Sequence, residues 1–259
     1  MISTRELLLG FLLPALLCVL LGALGARREE GRVVRKLHQA LAVALPYLLA
    51  FFAISGYVPY VMPLGSATQL VPFLVLPLAA LAAILPVALP IVGSAGLLWL
   101  LFERLGAPPG WPERAAAMVA LALAWAAGGA RDERPFWRAL LSLATFAGAV
   151  SLACLCGRAA ALALITGGLG AAIGASFLAS LRKPACSPGQ PGQDVGIFAL
   201  GGSLACAVYL AELSPVAALV LLGSLAASRI PSFALSYGAQ LALTALGLAL
   251  AWPAGGLGA

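Results

Sequence analysis

The stretch 159–181, AAALALITGGLGAAIGASFLASL, sets the fold class of this chain. Its 23 residues carry no charge, and Arg158 and Arg182 flank it on either side. A helix needs about 20 apolar residues to cross the hydrocarbon core of a bilayer. The stretch is therefore predicted to be a transmembrane helix.

Comparable apolar stretches recur along the rest of the chain. Of its 259 residues, 63% are hydrophobic and 9% are charged, whereas a soluble domain carries about 25% charged residues. We therefore predict a single all-α integral membrane domain over residues 1–259, a polytopic transmembrane bundle of about ten helices (eight to ten) with no soluble domain. The predicted helices are 7–25, 39–55, 68–85, 87–102, 115–129, 137–155, 159–181, 195–211, 216–227 and 232–252.

The helix count depends on the region around Pro86 and Pro90, where the third and fourth helices are joined without a polar turn. Residues 70–102 could instead form one kinked span of about 50 Å at 1.5 Å per residue. Cytoplasmic loops are enriched in Lys and Arg. Ten helices with the N-terminus outside place 11 of the 15 basic residues in the cytoplasm, whereas merging the two helices gives 8 against 7. The charge bias favours ten helices.

Two polar segments are predicted on the cytoplasmic side. Segment 26–38 is rich in arginine and either forms an amphipathic surface helix or only sets the topology. Its charges also favour a retained first helix over a cleaved signal peptide. Segment 183–194 is rich in Pro and Gly and is predicted to be a flexible connector. It separates helices 1–7, over residues 1–182, from helices 8–10, over residues 195–259.

Composition argues against nucleic-acid binding and against an enzyme. The formal net charge of +6 comes from basic residues between apolar stretches, where they meet anionic lipid headgroups rather than a duplex. His38 is the single histidine, and the five cysteines fit no zinc spacing. All nine acidic residues lie near predicted helix ends, so no carboxylate relay is predicted. No catalytic, metal or cofactor site is predicted.

Small residues recur every four positions along the seventh predicted helix. This spacing lets helix backbones approach closely, so we expect the helix at the centre of the bundle or at a seam between two copies. The packing residues are Ala163, Gly167, Ala171 and Ala175, with Gly170 and Gly174 on a second ridge.

Polar and aromatic residues near predicted helix ends are the candidates for binding. The uncharged outer segment 55–69 is predicted to form either the mouth of a solute site or an interfacial loop anchored by its tyrosines. Glu212 either binds a cation or a lipid headgroup, or caps the following helix. Gln240 needs a hydrogen-bond partner inside an apolar helix. The candidate binding residues are Tyr57, Tyr60, Gln69, Glu212, Tyr237 and Gln240.

Two function classes stay open on these grounds. The first is a transporter or permease-like protein for a small neutral or hydrophobic solute. The second is a non-catalytic membrane subunit or scaffold that packs against a partner protein or a second copy of the chain. The lipid bilayer is the expected partner in both cases. Arginine outnumbers lysine 13 to 2, which is typical of GC-rich bacterial genomes, so a bacterial cytoplasmic membrane is the expected location.

Overall fold

The computed structural model describes residues 8–25, 32–56, 69–85, 89–103, 109–128, 136–184 and 187–252. These residues form ten α-helices and no β-strand, so the all-helical fold and the count of ten are confirmed for this part of the chain. A π-helical turn, Leu8–Leu12, precedes the first helix. The helices are α1 (Leu13–Gly25), α2 (Arg32–Ser55), α3 (Leu70–Ile84), α4 (Leu89–Glu103), α5 (Trp111–Gly128), α6 (Phe136–Cys156), α7 (Ala160–Arg182), α8 (Gly189–Leu210), α9 (Pro215–Ala227) and α10 (Phe233–Ala251).

The third and fourth helices are separate, and the alternative of one kinked span is wrong. Leu85 leaves the helical conformation, with φ −132° and ψ 64°, because it precedes Pro86, whose ring disfavours a helical residue before it. The chain then folds back, since a Cβ atom placed on Gly93 of α4 would lie 3.4 Å from Leu78 of α3. The two prolines therefore mark a reversal of the chain.

Three helices begin several residues earlier than predicted, namely α2, α8 and α5, the last of which starts at Trp111 instead of residue 115. Helix α2 starts at Arg32, so the described half of the predicted surface segment 26–38 is the first two turns of α2. Helix α8 starts at Gly189, which shortens the predicted connector 183–194. Gly189 adopts φ +61°, and its N–H donates to the Ser187 hydroxyl at 3.3 Å. Pro191 falls in the first turn, where a missing N–H costs nothing.

Helix α8 is the centre of the structure. Every residue from Pro191 to Leu204 is buried, and helices α2 to α7 and α9 all contact it. Small residues allow this close packing: a Cβ atom on Gly196 would lie 2.9 Å from Leu143, and one on Gly202 would lie 3.0 Å from both Leu97 and Val71. A helix that is buried on all sides has no face for lipid.

Helix α7 packs against α1 along a ridge of small residues. A Cβ atom on Gly168 would lie 2.2 Å from the carbonyl oxygen of Gly10, and the Ser176 hydroxyl lies 2.9 Å from the Cys18 sulfur. Ala172 lies between them and is fully buried. The closely packed ridge therefore consists of Gly168, Ala172 and Ser176. The predicted packing residues Gly167, Ala171 and Ala175, each one position earlier, are half-buried.

The outer surface of the bundle is apolar. Five helices are long and apolar enough to cross a membrane, namely α2, α6, α7, α8 and α10, and four more apolar helices in the described residues are shorter. Helix α1 exposes Leu12, Leu16, Leu20 and Leu24, which are four residues apart. An apolar stripe of this kind in water would be unusual for a soluble protein. The chain is a membrane protein.

The bundle has two ends, which we name by their acidic residues. At the Glu212 end, the last turns of α6 and α8 lie together, since the Glu212 N–H donates to the Gly157 carbonyl at 3.1 Å. At the Asp194 end, the first turns of α2 and α8 lie together, since a Cβ atom on Gly192 would lie 2.6 Å from the Gln39 carbonyl.

Candidate functional site

A groove of about 460 Å³ lies between α4, α5, α8 and α9 in the half of the bundle nearer the Glu212 end. Small-molecule sites in proteins usually measure about 300–1,000 Å³. Most of its lining is aliphatic. The lining residues are Leu98 of α4; Glu113, Ala116, Ala117, Ala120 and Leu121 of α5; Gly201, Leu204, Ala205, Val208 and Tyr209 of α8; and Pro215, Ala218, Leu219 and Leu222 of α9.

Small side chains create the groove, and larger ones close it at one end. Helix α5 presents alanines to it, and α8 presents Ala205. The floor is closed where Leu121 packs onto Gly201, since a Cβ atom there would lie 2.7 Å from the leucine. Below the floor, the Trp125 ring lies 5.5 Å from the Phe198 ring and fills the space between α5 and α8.

Helices α5 and α9 are joined at the Asp194 end of the bundle. The Arg229 guanidinium after the end of α9 donates to the Ala126 carbonyl near the end of α5. At the other end, the first turns of the two helices line the groove through Glu113 and Pro215. The groove therefore runs along α8 from its floor at Gly201 to its polar end at Glu113 and Tyr209, which we call the mouth.

The mouth is the polar part of the groove. Glu113 lies in the first turn of α5 and is exposed, whereas Tyr209 in the last turn of α8 is half-buried. The Tyr209 ring makes an edge contact with Phe102, with 5.1 Å between centroids. Arg114 does not line the groove, because its Nε donates to the Pro109 carbonyl at 2.7 Å.

The predicted binding residues lie elsewhere. Tyr57 and Tyr60 fall outside the described residues. Gln69 is buried at the start of α3. Glu212 is exposed and forms an ion pair with Arg158, with 3.4 Å between Nε and Oε2. The side chain of Ser214 makes no capping hydrogen bond at the start of α9.

Tyr237 and Gln240 both contact α6. Gln240 is buried, and its amide donates to the Ser142 carbonyl at 2.8 Å, which supplies the partner that an amide in an apolar helix needs. The Tyr237 hydroxyl lies 3.2 Å from the Thr145 hydroxyl. These contacts join α10 to the first half of α6. Glu212 instead contacts Gly157 and Arg158, in the turn between α6 and α7. None of the predicted binding residues that the structure describes lines the groove.

Sequence reasoning missed Glu113 and Tyr209. The signal was present in α5, where Glu113 precedes Ala116, Ala117 and Ala120 on one face at helical spacing. Alanines at that spacing leave room beside a helix but do not identify what faces them. Only the positions of α8 and α9 turn this alanine face into a groove.

A buried polar pair lies at the other end of α8. Asp194 is 5% exposed and accepts a hydrogen bond from the Gln190 amide at 3.4 Å. The neighbouring Gln193 is 1% exposed, and neither its amide nitrogen nor its amide oxygen has a hydrogen-bond partner within the described residues. Asp194, which is predicted to lie in the connector, instead lies in the second turn of α8 and so still lies near a helix end.

The described residues contain no group of three His, Cys, Asp or Glu side chains that could hold a metal ion. The groove is thus a binding site of apolar walls with one carboxylate and one phenol at its mouth. The chain matches no known family model, and no curated protein or solved structure is significantly similar to it.

Proposed function

We propose that this chain is a transporter-like membrane protein that holds a small hydrophobic solute in the groove between α5, α8 and α9. The observation that carries the proposal is the groove itself, about 460 Å³ of apolar space with a closed floor and a mouth at the Glu212 end. Ala116 and Leu219 of the lining are exposed on the outer surface, so such a solute has a path from the bilayer into the groove. Movement of α5 against α9 would open or close it.

The proposed topology has ten membrane helices with the N-terminus outside, in a bacterial cytoplasmic membrane. Basic residues of several helices support this orientation, because their positions gather at the Asp194 end. Arg35 lies at the start of α2, Arg138 at the start of α6 and Arg229 after the end of α9. Since basic residues are retained in the cytoplasm, the Asp194 end faces the cytoplasm and the mouth of the groove faces outwards.

Photo-crosslinking tests the proposed site. The purified protein in phosphatidylcholine nanodiscs is irradiated with decanol that carries a diazirine at its chain end, and labelled residues are mapped by mass spectrometry. We expect saturable labelling of the groove-lining residues of α5, α8 and α9. Exposed lipid-facing residues such as Leu235, 67% exposed, are expected to label without saturation.

A matched pair of variants tests whether the saturable labelling occurs in the groove. Ala117→Phe fills the groove from α5 and is expected to abolish the saturable fraction. Ala115→Phe adds the same ring on the exposed opposite side of α5 and is expected to leave it intact. Labelling without saturation at every site would refute the proposal. A protein that then aggregates unless it is extracted with another protein would favour the membrane-subunit role instead.

A further inference from the structure

We propose that the solute is a single-chain amphiphile with an ammonium head, which Glu113 binds at the mouth while the chain fills the groove. This inference rests on the proposed function and adds the chemistry of the ligand. Three features support it. They are the negative charge of Glu113 at the mouth, the lack of a cation paired with Glu113 among the described residues, and the depth of the apolar part of the groove.

Glu113 is the charged residue of the lining. It forms no ion pair or hydrogen bond with any other residue that the structure describes, which distinguishes it from Glu212, whose carboxylate is paired with Arg158. The start of α5 favours an anion there by about 0.3–1 kcal/mol through the helix dipole, and this alone is a sufficient structural reason for an acidic residue. Its position on the groove makes the same carboxylate available to a cation.

The nearest basic side chain along the chain, Arg114, is held away from the groove. Its guanidinium carbon lies 5.5 Å from the centre of the Phe102 ring and 5.4 Å from the centre of the Trp111 ring. Together with the hydrogen bond to Pro109, these contacts hold the guanidinium against the two rings and outside the groove lining. Since no cation of the described residues pairs with Glu113, a cationic head meets an unneutralised carboxylate, and an anionic head meets repulsion.

The second polar group of the mouth suits the same head. Tyr209 lines the groove close to Glu113, and a phenol oxygen accepts a hydrogen bond. An ammonium group has three donors and no acceptor, so it can use both oxygens at once. A neutral alcohol head can also donate to the carboxylate, but it has one donor and no positive charge, so it lacks the direct attraction between opposite charges.

The depth of the groove sets the length of the chain. From Tyr209 at the mouth to Gly201 at the floor, α8 rises by about 12 Å at 1.5 Å per residue. This matches an extended decyl chain. Below the floor, Leu121 and Trp125 block further entry, so chains much longer than decyl should gain nothing.

The experiment compares two probes that differ in the head group. Decylammonium and decanol, each with a diazirine at the chain end, are titrated at pH 7 in phosphatidylcholine nanodiscs, and the half-saturation of groove labelling is measured. We expect the ammonium probe to saturate at about two- to fivefold lower concentration, the range for one solvent-accessible ion pair at a protein surface. Glu113→Gln should remove this difference by raising the half-saturation concentration of the ammonium probe.

Glu103→Gln is the matched control, because Glu103 is an exposed carboxylate at the end of α4 that does not line the groove. It should keep the full preference for ammonium. Equal half-saturation for both probes, or a preference that survives Glu113→Gln, would overturn the proposal while leaving the groove as a site for neutral solutes. No saturable labelling by either probe would instead overturn the proposed function.

Discussion

Replacing Gly168 by alanine tests the close packing of α7 against the π-helical turn that leads into α1. The new Cβ atom would lie 2.2 Å from the backbone oxygen of Gly10 and 3.0 Å from the Cβ atom of Ala50. The first distance is more than an ångström short of ordinary contact, and because the obstacle is backbone, the start of α1 has to move as a unit. Overpacking of this kind typically costs about 1–3 kcal/mol.

The helical preference of alanine offsets part of that cost. Alanine favours a helix interior over glycine by about 0.5–1 kcal/mol, so we expect Gly168→Ala to lower the free energy of unfolding by about 1–2 kcal/mol. In a chain of this size, each kcal/mol corresponds to a Tm change of about 2–4 °C. Thermal unfolding in detergent micelles, followed by circular dichroism, measures it.

Gly174 provides the control in the same helix. A Cβ atom placed there meets nothing within 4 Å, so Gly174→Ala should raise Tm slightly through helical preference alone. Opposite signs for the two variants would support the α1–α7 contact. An unchanged or raised Tm for Gly168→Ala would refute the reasoning, because α1 would then be free to retreat without loss.

Two further predictions concern polar residues. Gln193→Leu should raise Tm or leave it unchanged in the same thermal assay, because it replaces a buried amide, which has no partner in the described part of the chain, by an apolar group of similar size. A fall of several degrees would mean that the amide forms a hydrogen bond in the folded protein. Glu212→Gln should change the free energy of unfolding by less than about 1 kcal/mol, since its ion pair with Arg158 is exposed. Unfolding in a mixed detergent measures this change. A larger loss would contradict the small contribution expected of an exposed ion pair.

The number of helices could be predicted because a membrane span is long and uncharged. The stretch 159–181 is continuous and became α7 (Ala160–Arg182) with little change. The boundaries were harder where Pro and Gly occur, since the same residues that break a helix also begin one. The sequence predicts a connector over 183–194, whereas Gly189 and Pro191 belong to the first turn of α8.

The faces of the helices could not be predicted from the sequence, because lipid and protein core are equally apolar. In α7, Gly167 and Gly168 are adjacent and equally small, yet an added Cβ atom would meet a neighbouring backbone, that of Gly10, only at Gly168. The groove could not be predicted for the same reason, because it depends on which face of α5 lies towards α8 and α9. Ala117 lines it and Ala115 faces away, although the two residues are identical in type and lie two positions apart.

The burial of α8 on all sides has a consequence for biosynthesis. Its mean hydropathy of 1.4 is the lowest of the five long apolar helices, and the charged residue Asp194 in its second turn costs free energy when it faces lipid. Of the helices that surround it, only α9 is still to be synthesised when α8 leaves the ribosome. The chain order thus lets this helix insert against protein, and a circular permutant that begins at α8 would have to insert it into bare lipid.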